Sequence, residues 1–440
     1  MLKRWFKLEE HNTTIRTELM AGLSTFLTMA YVVFVNPAIL STDFAGNPTG
    51  LSADAALLAT CLAAFVATVV MGLYANLPIA QAPGMGENFF FVSVVMALTT
   101  MGVTNSWQVT LGITFIAGLL FLLLAIFKFR KALFDAVSPS MKNAIAVGIG
   151  FFIAFIGLQN AGLIIDNPGS LVTFNTNLLN TNTIIFFAGF FLTAILTIRK
   201  IRGAILWGIL FNLILALIVG KVTWAGFVGL PQSHAFFKLN LLGALKLSFV
   251  PFILIFLFMD MFDTMGTLIG VGQQTGLLDE DSPKINKALI SDAVGTAVGS
   301  FAGTSTVTSY IESIVGVQYG GRTGLTSVTT GFLFLFALFF TPLIAMVGGY
   351  LPITAPALVF VGSMMVQNIR KIEWEDLSET IPSFLIMLGI PLSYSIHDGL
   401  AMGLIAYPIL KSAAGKWKEI HWLSWIVAVI FVLRYLTLQI

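Results

Sequence analysis

The sequence predicts an all-α polytopic membrane protein, and three observations carry the prediction. Of the 440 residues 57% are hydrophobic and 10% charged. A soluble domain carries about 25% charged residues, so too few ionic groups remain to cover a water-facing surface of this size. The mean hydropathy is +0.92. The apolar residues also come in long blocks rather than amphipathic stripes. Val109 to Phe127 carries no charge at all, and a membrane helix needs about 20 such residues.

Taken in order, apolar blocks separated by polar or Gly/Pro breaks place fourteen spans at about 18–36, 54–75, 86–101, 107–127, 141–162, 182–198, 203–221, 247–272, 286–302, 308–320, 324–347, 353–367, 380–396 and 398–412. A further apolar segment, about 421–438, is either an extra peripheral span or a sign that one span has been split in two. The opening MLKRWFKLEEHNTTIRTE is polar and mixed in charge. It lacks the early apolar core of a cleavable signal, so the first span is expected to stay in the mature protein.

Basic residues test the count. Lys3, Arg4, Lys7 and Arg16 precede span 1; Lys128, Arg130 and Lys131 follow span 4; Arg199, Lys200 and Arg202 follow span 6. Lys284 and Lys287 follow span 8, Arg322 span 10, Arg370 and Lys371 span 12, and Lys411, Lys416 and Lys418 span 14. With alternating spans these all share the side of the N-terminus, which the positive-inside rule makes the cytoplasm. Only the connection between spans 7 and 8 (Lys221, Lys238, Lys246) departs from the pattern. The expected location is the cell inner (plasma) membrane, multi-pass, with a cytoplasmic N-terminus.

The 39 Phe and 40 Gly suit lipid-facing surfaces and close helix contacts. The single cysteine, Cys61, excludes an internal disulfide and a Cys-based metal site, and the four scattered histidines give no ligand spacing. No metal and no cofactor are expected. A net charge of +2 gives no sign of nucleic-acid binding.

Two spans are unlike ordinary membrane helices. Pro78-Ile-Ala-Gln-Ala-Pro-Gly-Met-Gly86 opens span 3 with two prolines and two glycines, and Gly303-Thr-Ser-Thr-Val-Thr-Ser-Tyr310 opens span 10 with β-branched and hydroxyl residues. Non-helical backbone at membrane depth is tolerated only when it is buried in protein or lines a cavity. The two segments lie seven spans apart, an odd number, so a second half beginning at span 8 is inverted relative to the first. Inverted repeats with broken helices meeting at the midplane describe many secondary transporters.

Six acids fall in apolar surroundings: Glu87, Asp260, Asp263, Asp292, Glu312 and Asp398. An intramembrane acid is costly and marks a functional site by default. Asp398, in SIHDGL at a span junction, reads as structural or interfacial, and Asp292 as a helix-packing hydrogen bond. Asp260 and Asp263 sit three residues apart in FLFMDMFDTMGTLIG, with Thr264 and Thr267 one turn on. Two ionised carboxylates this close repel in low dielectric, which is how such pairs come to hold a proton. Asp260 also reads as a packing group, and Asp263 as a site residue. Glu312 follows directly on the Thr/Ser-rich break that ends at Tyr310. Glu87 and Asn88 hold the corresponding place in span 3, followed by the flat faces of Phe89 to Phe91. Asn88 both donates and accepts, and Glu87 reads either as a proton group or as a structural partner across the repeat. Such a set suits a flat neutral base edged with N–H donors and ring acceptors, as a purine is. An anion would be poorly served where the spans hold almost no basic residue.

At these residues the sequence resembles a known family. QAPGMGENFFF, FMDMFDTMGTLIGVGQQTGLLDE, GTSTVTSYIESIVGV with GGRTGLTSV, TAPALVFVG and the N-terminal FKLEEHNTTIRTELMAGLSTFLTMAYVVFVNPAIL look like the AzgA-like hypoxanthine/guanine/adenine permeases of the nucleobase/ascorbate transporter superfamily. The resemblance implies fourteen spans in a seven-plus-seven inverted repeat. It implies a core (transport) domain at 18–127 and 247–347 and a gate domain at 141–221 and 353–412, with 421–438 as an additional C-terminal segment. It carries the family's purine-contacting acids onto Asp263 and Glu312 and its span 3 asparagine onto Asn88. Glu87 departs from the apolar residue expected there and bears on purine selectivity or pH dependence. The expected function is purine import by proton symport, with an elevator-like motion of core against gate. Asp263, Glu312, Asn88, Thr267, Phe89 and Tyr310 are expected to bind substrate, and Glu312, Asp263, Glu87 and Asp260 are candidates for proton coupling. The expected partners are a purine nucleobase, protons and the lipid bilayer, with a homodimer left open. Two other readings compete: an anion or sulfate transporter on the same architecture, and an intramembrane aspartate hydrolase resting on Asp260 and Asp263 alone.

Overall fold

The computed structural model describes residues 2–44, 46–127, 137–275 and 283–437. Lys128, Arg130 and Lys131, and the 276–282 end of the span 8 motif, lie outside them. The first half opens with α1 (Ile15–Met29), capped by the Thr14 hydroxyl, which accepts from the Thr17 N–H at 3.2 Å. It continues past Ala30 as α2 (Tyr31–Ser41), and α3 (Ala53–Val70), capped by Ser52, follows and ends in a π-turn over Met71–Ala75. The Pro/Gly segment is then extended as β1 (Gln81–Pro83), and the helix resumes as α4 (Met85–Thr100). α5 (Ser106–Ile126), α6 (Pro139–Asn160), a hairpin of β2 (Ile164–Asn167) and β3 (Leu171–Phe174), α7 (Thr181–Ile198) and α8 (Ala204–Ile218) complete it. The hairpin lies where the sequence reads only as a loop.

The second half runs α9 (Val250–Thr275), α10 (Pro283–Ala302), β4 (Val307–Ser309) and α11 (Ser313–Gln318), then α12 (Gly324–Ala337), α13 (Thr341–Gly348), α14 (Ala355–Val366), α15 (Leu377–Ser393), α16 (Ile396–Ala413) and α17 (Trp422–Thr437). Among the described residues six helical segments are long and apolar enough to cross a membrane, and five shorter apolar helices accompany them. Ile184, Phe191, Ile195 and Ile198 on α7 and Phe332 and Phe336 on α12 are exposed, as hydrocarbon-facing side chains must be. The segment expected at 421–438 is a helix running back along α16, because it starts just past the end of α16 while the Tyr435 hydroxyl donates to Asp398 Oδ1 at 2.5 Å in its first turn.

The two broken spans meet. β1 and β4 pair antiparallel, with Gln81 opposite Ser309, Ala82 opposite Thr308 and Pro83 opposite Val307. The Gly84 N–H donates to Thr306 O at 3.1 Å and the Tyr310 N–H to Ala80 O at 3.0 Å. Every strand residue is buried, so each segment supplies the hydrogen bonds that hydrocarbon cannot. Each outer edge is met by a threonine of the preceding helix. The Thr68 hydroxyl accepts from Gln81 N–H at 2.9 Å and donates to Gln81 O at 2.8 Å. Thr296 accepts from Val307 N–H at 2.9 Å. The same device in both halves is what an internal repeat leaves behind.

Around this crossing α3 packs on α10 and α12, α1 on α12, and α5 on α10; α6 packs on α14 and α15, and α15 on α16. Backbones touch where small residues face each other. A Cβ at Gly324 would overlap the Gly72 carbonyl, and one at Gly362 the Gly150 carbonyl.

An ionic cluster ties three elements together. Lys411, 4% exposed, reaches Glu379 Oε1 at 2.8 Å, Glu419 Oε2 at 3.1 Å and Asp376 Oδ2 at 3.2 Å, while the Ser138 hydroxyl donates to Glu379 Oε2 at 2.5 Å. The Lys416 ammonium, with the Ser378 hydroxyl, holds the Asp376 carboxyl well below the usual carboxylate range. That contribution is fully present above the ordinary aspartate pKa and is lost as pH falls through the depressed value. Lys411→Met would leave Glu379 buried with only a hydroxyl partner, and removing one side of a buried ion pair costs about 3–5 kcal/mol. The detergent-solubilised variant is therefore expected to lose its monodisperse size-exclusion peak at a lower temperature than the wild type. Equal melting would show that the cluster holds nothing together.

Candidate functional site

The β1–β4 crossing gathers the acids that the sequence singles out. Asp263 lies in the interior of α9, yet its side chain is exposed, as is Gly266 one turn on, where nothing lies within 4 Å of an added Cβ. Ile311 is 37% exposed and Glu312 half-buried. An open cleft therefore reaches the crossing, with one carboxyl from α9 and one from the entry to α11. Glu312 Oε1 accepts from the Tyr31 hydroxyl at 3.0 Å, and Thr308 lies beside Asp263. The Tyr310 hydroxyl donates to Pro83 O at 2.5 Å and lies within electrostatic range of Glu312, Glu87 and Asp263.

The remaining candidates surround this pair at different depths. Glu87 is 2% exposed, and its carboxyl folds back over Gly84, leaving no room there for a Cβ. Asn88 is fully buried; its Oδ1 accepts from the Ser305 hydroxyl, and its Nδ2 has no partner among the described residues. Thr267 is buried one turn beyond Asp263. Phe89 is buried in an aromatic cluster, its ring 6.2 Å from that of Phe44 and 6.1 Å from that of Phe152 on α6.

Asp260 and Asp263, three residues apart, have different surroundings. Asp260 is closed off from the cleft, accepting from the Thr296 hydroxyl at 2.8 Å and lying in hydrogen-bonding reach of Asp292. Asp292 makes hydrogen bonds between packed elements, the Gln81 amide and the Thr264 hydroxyl both donating to its Oδ1 at 2.8 Å. Asp398 lies apart, on a separate cavity of about 340 Å³ lined by Phe44, Ser93, Met96, Tyr394 and His397. Tyr31, which holds Glu312, carried no signal in the sequence, and Gln81, Ser305 and Thr308 were marked only as members of the two broken segments. Glu18 was also missed. It is fully buried and accepts from the N–H groups of Arg322, Thr323 and Thr326 at the start of α12.

Among the described residues no cation is an electrostatic partner of Glu87, Asp260, Asp263, Asp292 or Glu312. Carboxyls that face an open cleft without a counter-ion can accept two N–H groups of a neutral ligand and are poor hosts for an anion. The openness can be tested directly. Since the sole cysteine, Cys61, is buried, Gly266→Cys is expected to react with a water-soluble maleimide in native vesicles. Leu268→Cys, at a fully buried position, is expected to stay unreactive. Equal labelling of the two would mean that the cleft is not open along α9.

Residues 16–400 match the model of the Permease family (Xan_ur_permease). The chain is 42% identical over 438 residues to the adenine permease AdeP of Escherichia coli (strain K12), across 99% of this chain and 96% of that one. It is 38% identical over 438 residues to the guanine/hypoxanthine permease PbuO of Bacillus subtilis (strain 168), across 98% of this chain and 99% of that one. Among solved structures, the transmembrane domain of a cyanobacterium bicarbonate transporter, BicA, is similar with a TM-score of 0.61 at 16% identity, over 89% of this chain and 97% of that chain. At that identity the likeness is one of fold.

Proposed function

The chain belongs to the Permease family, as a purine permease of the nucleobase/ascorbate transporter superfamily, and from that premise we propose that it imports purine nucleobases by proton symport. The observation that carries this reading is the uncompensated pair Asp263 and Glu312 on the open cleft at the crossing. A purine ring edge presents adjacent N–H groups that a carboxylate accepts, while Asn88, with an unspent amide donor, suits a ring nitrogen or carbonyl. Tyr310, Thr267 and Phe89 complete the wall in this reading.

Transport requires the site to face each side in turn. The packing supports a division in which α1–α5 and α9–α13 move as a core against a gate of α6–α8 and α14–α16, in fourteen spans with a cytoplasmic N-terminus in the cell inner membrane. Arg202, after α7, contacts both Ser24 Oγ at 3.1 Å and the Tyr319 ring at 4.6 Å; such a contact between gate and core would break and reform. A neutral purine and a proton bound together let the core cross the low-dielectric barrier with its acid neutralised. An empty, ionised site finds that crossing costly, and this difference couples the two fluxes.

Two outcomes follow. Glu312→Gln is expected to insert normally but to lose most uptake of labelled adenine, guanine or hypoxanthine in cells lacking their own permeases. Asp263→Asn is expected to weaken purine binding more than Asp260→Asn, since only Asp263 faces the cleft. Losing one hydrogen bond to a charged group costs about 1.5–3 kcal/mol, or roughly 10- to 150-fold in affinity. Near-normal uptake by a well-expressed Glu312→Gln protein, or the reverse order of the two aspartates, would remove these residues from the site. Wild-type uptake is expected to rise as external pH falls from about 8 to about 6, the range in which buried carboxyls are known to titrate, and a protonophore is expected to collapse accumulation. Accumulation that ignores the protonophore and follows a Na⁺ gradient would reject proton coupling while leaving the purine assignment standing.

A further inference from the structure

Behind the cleft lies a second acidic pair that ligand binding does not use. Asp260 on α9 and Asp292 on α10 are 1% and 0% exposed and within hydrogen-bonding reach of each other. Each has one oxygen served by neutral donors: Asp260 Oδ2 by the Thr296 hydroxyl, Asp292 Oδ1 by the Gln81 amide and the Thr264 hydroxyl. The other oxygens, Asp260 Oδ1 and Asp292 Oδ2, have no hydrogen-bond partner among the described residues. Two carboxylates cannot face each other in a dry interior unless a proton lies between them. The titratable groups facing the pair are Asp263, on the same helix as Asp260, and Glu87 on α4. Both are acids, so among the described residues no side-chain cation takes the proton's place.

A row of hydroxyls runs from this pair toward the cleft. The Thr264 hydroxyl donates to Asp292 Oδ1 at 2.8 Å and so accepts from the Thr308 hydroxyl at 2.9 Å, and Thr308 lies beside the exposed Asp263. The Ser309 N–H donates to Thr264 Oγ1 at 3.0 Å and fixes its place in the row.

Resting on the symport reading above, we infer that the co-transported proton is stored on the Asp260–Asp292 pair and reaches it from the cleft through the Thr308 and Thr264 hydroxyls. A proton from water in the cleft adds to the Asp263 carboxylate. The Asp263 O–H then passes its proton to the Thr308 oxygen, Thr308 passes its own to Thr264, and Thr264 passes its own to Asp292. Each hydroxyl gives one proton and receives one, Asp263 returns to carboxylate, and the pair goes from one shared proton to two, from net charge −1 to neutral. Reversal of the same hops releases the proton. Asp263 is then free to accept the purine, so the group that binds substrate and the group that stores charge are separate.

The test uses the full-length protein in liposomes under an imposed pH gradient, with labelled hypoxanthine or adenine binding measured in parallel. Asp292→Asn and Thr264→Val are both outside the cleft. Each is expected to keep purine binding and to lose gradient-driven accumulation by about 5- to 150-fold, the usual strength of coupling between two sites. Thr264→Ser, which restores the hydroxyl, is expected to restore accumulation. Asp260→Asn approaches the pair from the other helix, should Asp292→Asn fail to fold. Wild-type pH dependence and accumulation in the Asn and Val variants would overturn the inference alone. Loss of binding together with accumulation in folded variants would also overturn it, by placing the pair in the binding site. A wild-type protein that concentrates purine without a proton gradient would overturn the symport reading and this inference with it.

Discussion

Everything in this molecule depends on how two pieces of non-helical backbone are kept satisfied inside a membrane. Each unpaired N–H or C=O in hydrocarbon costs several kcal/mol, so a chain that breaks a helix at that depth must provide the missing partners itself. Here β1 and β4 provide them for each other, and Thr68 and Thr296 close the outer edges. Because the partners come from opposite halves of the chain, the crossing also locks the two halves together. The site then stands where helical backbone gives way to strand, with Glu312 just past β4, Glu87 just past β1, and Asp263 alongside on α9.

The charge distribution follows from the same arrangement. Among the described residues the acids at this depth are served by hydroxyls and amides rather than by cations: Tyr31 at Glu312, Thr296 at Asp260, Gln81 and Thr264 at Asp292. The cations are spent elsewhere, as at Lys411, which closes the Asp376–Glu379 cluster. A neutral hydrogen-bonding shell keeps a carboxyl able to change its protonation state, whereas a fixed ammonium would pin it as the anion. Under the proposed symport, this is the physical distinction between such a site and one that captures anions on a shared fold.

Much of this was legible in the sequence, and for identifiable reasons. Pro78 to Gly86 and Gly303 to Tyr310 stand out because proline, glycine and β-branched residues do not continue a membrane helix, and acids stand out because they are rare in apolar blocks. Helical spacing placed Asp260 and Asp263 on neighbouring faces but did not say which face was open; that is decided by α10, which brings Asp292 and Thr296 against Asp260. Phe89 belongs to a buried aromatic cluster with Phe44 and Phe152, and those partners carried no signal in the sequence. Thr68, Thr296 and Tyr31 were not legible at all, and Thr264, Ser305 and Thr308 were legible only as hydroxyls near the acids and the break, without their partners. Hydroxyl residues are common in membrane helices, and only tertiary contacts separate these from the rest. Glu18 was hidden by its polar flank, where an acid at the start of a helix draws no notice.

The most direct measurement is a cryo-electron microscopy structure of the protein with bound adenine or hypoxanthine. The account requires the ring to lie in the cleft beside the β1–β4 crossing, its N–H edge on the Asp263 and Glu312 carboxyls. Density for the base in the separate cavity beside Phe44, Tyr394 and His397, with the crossing empty, would contradict it.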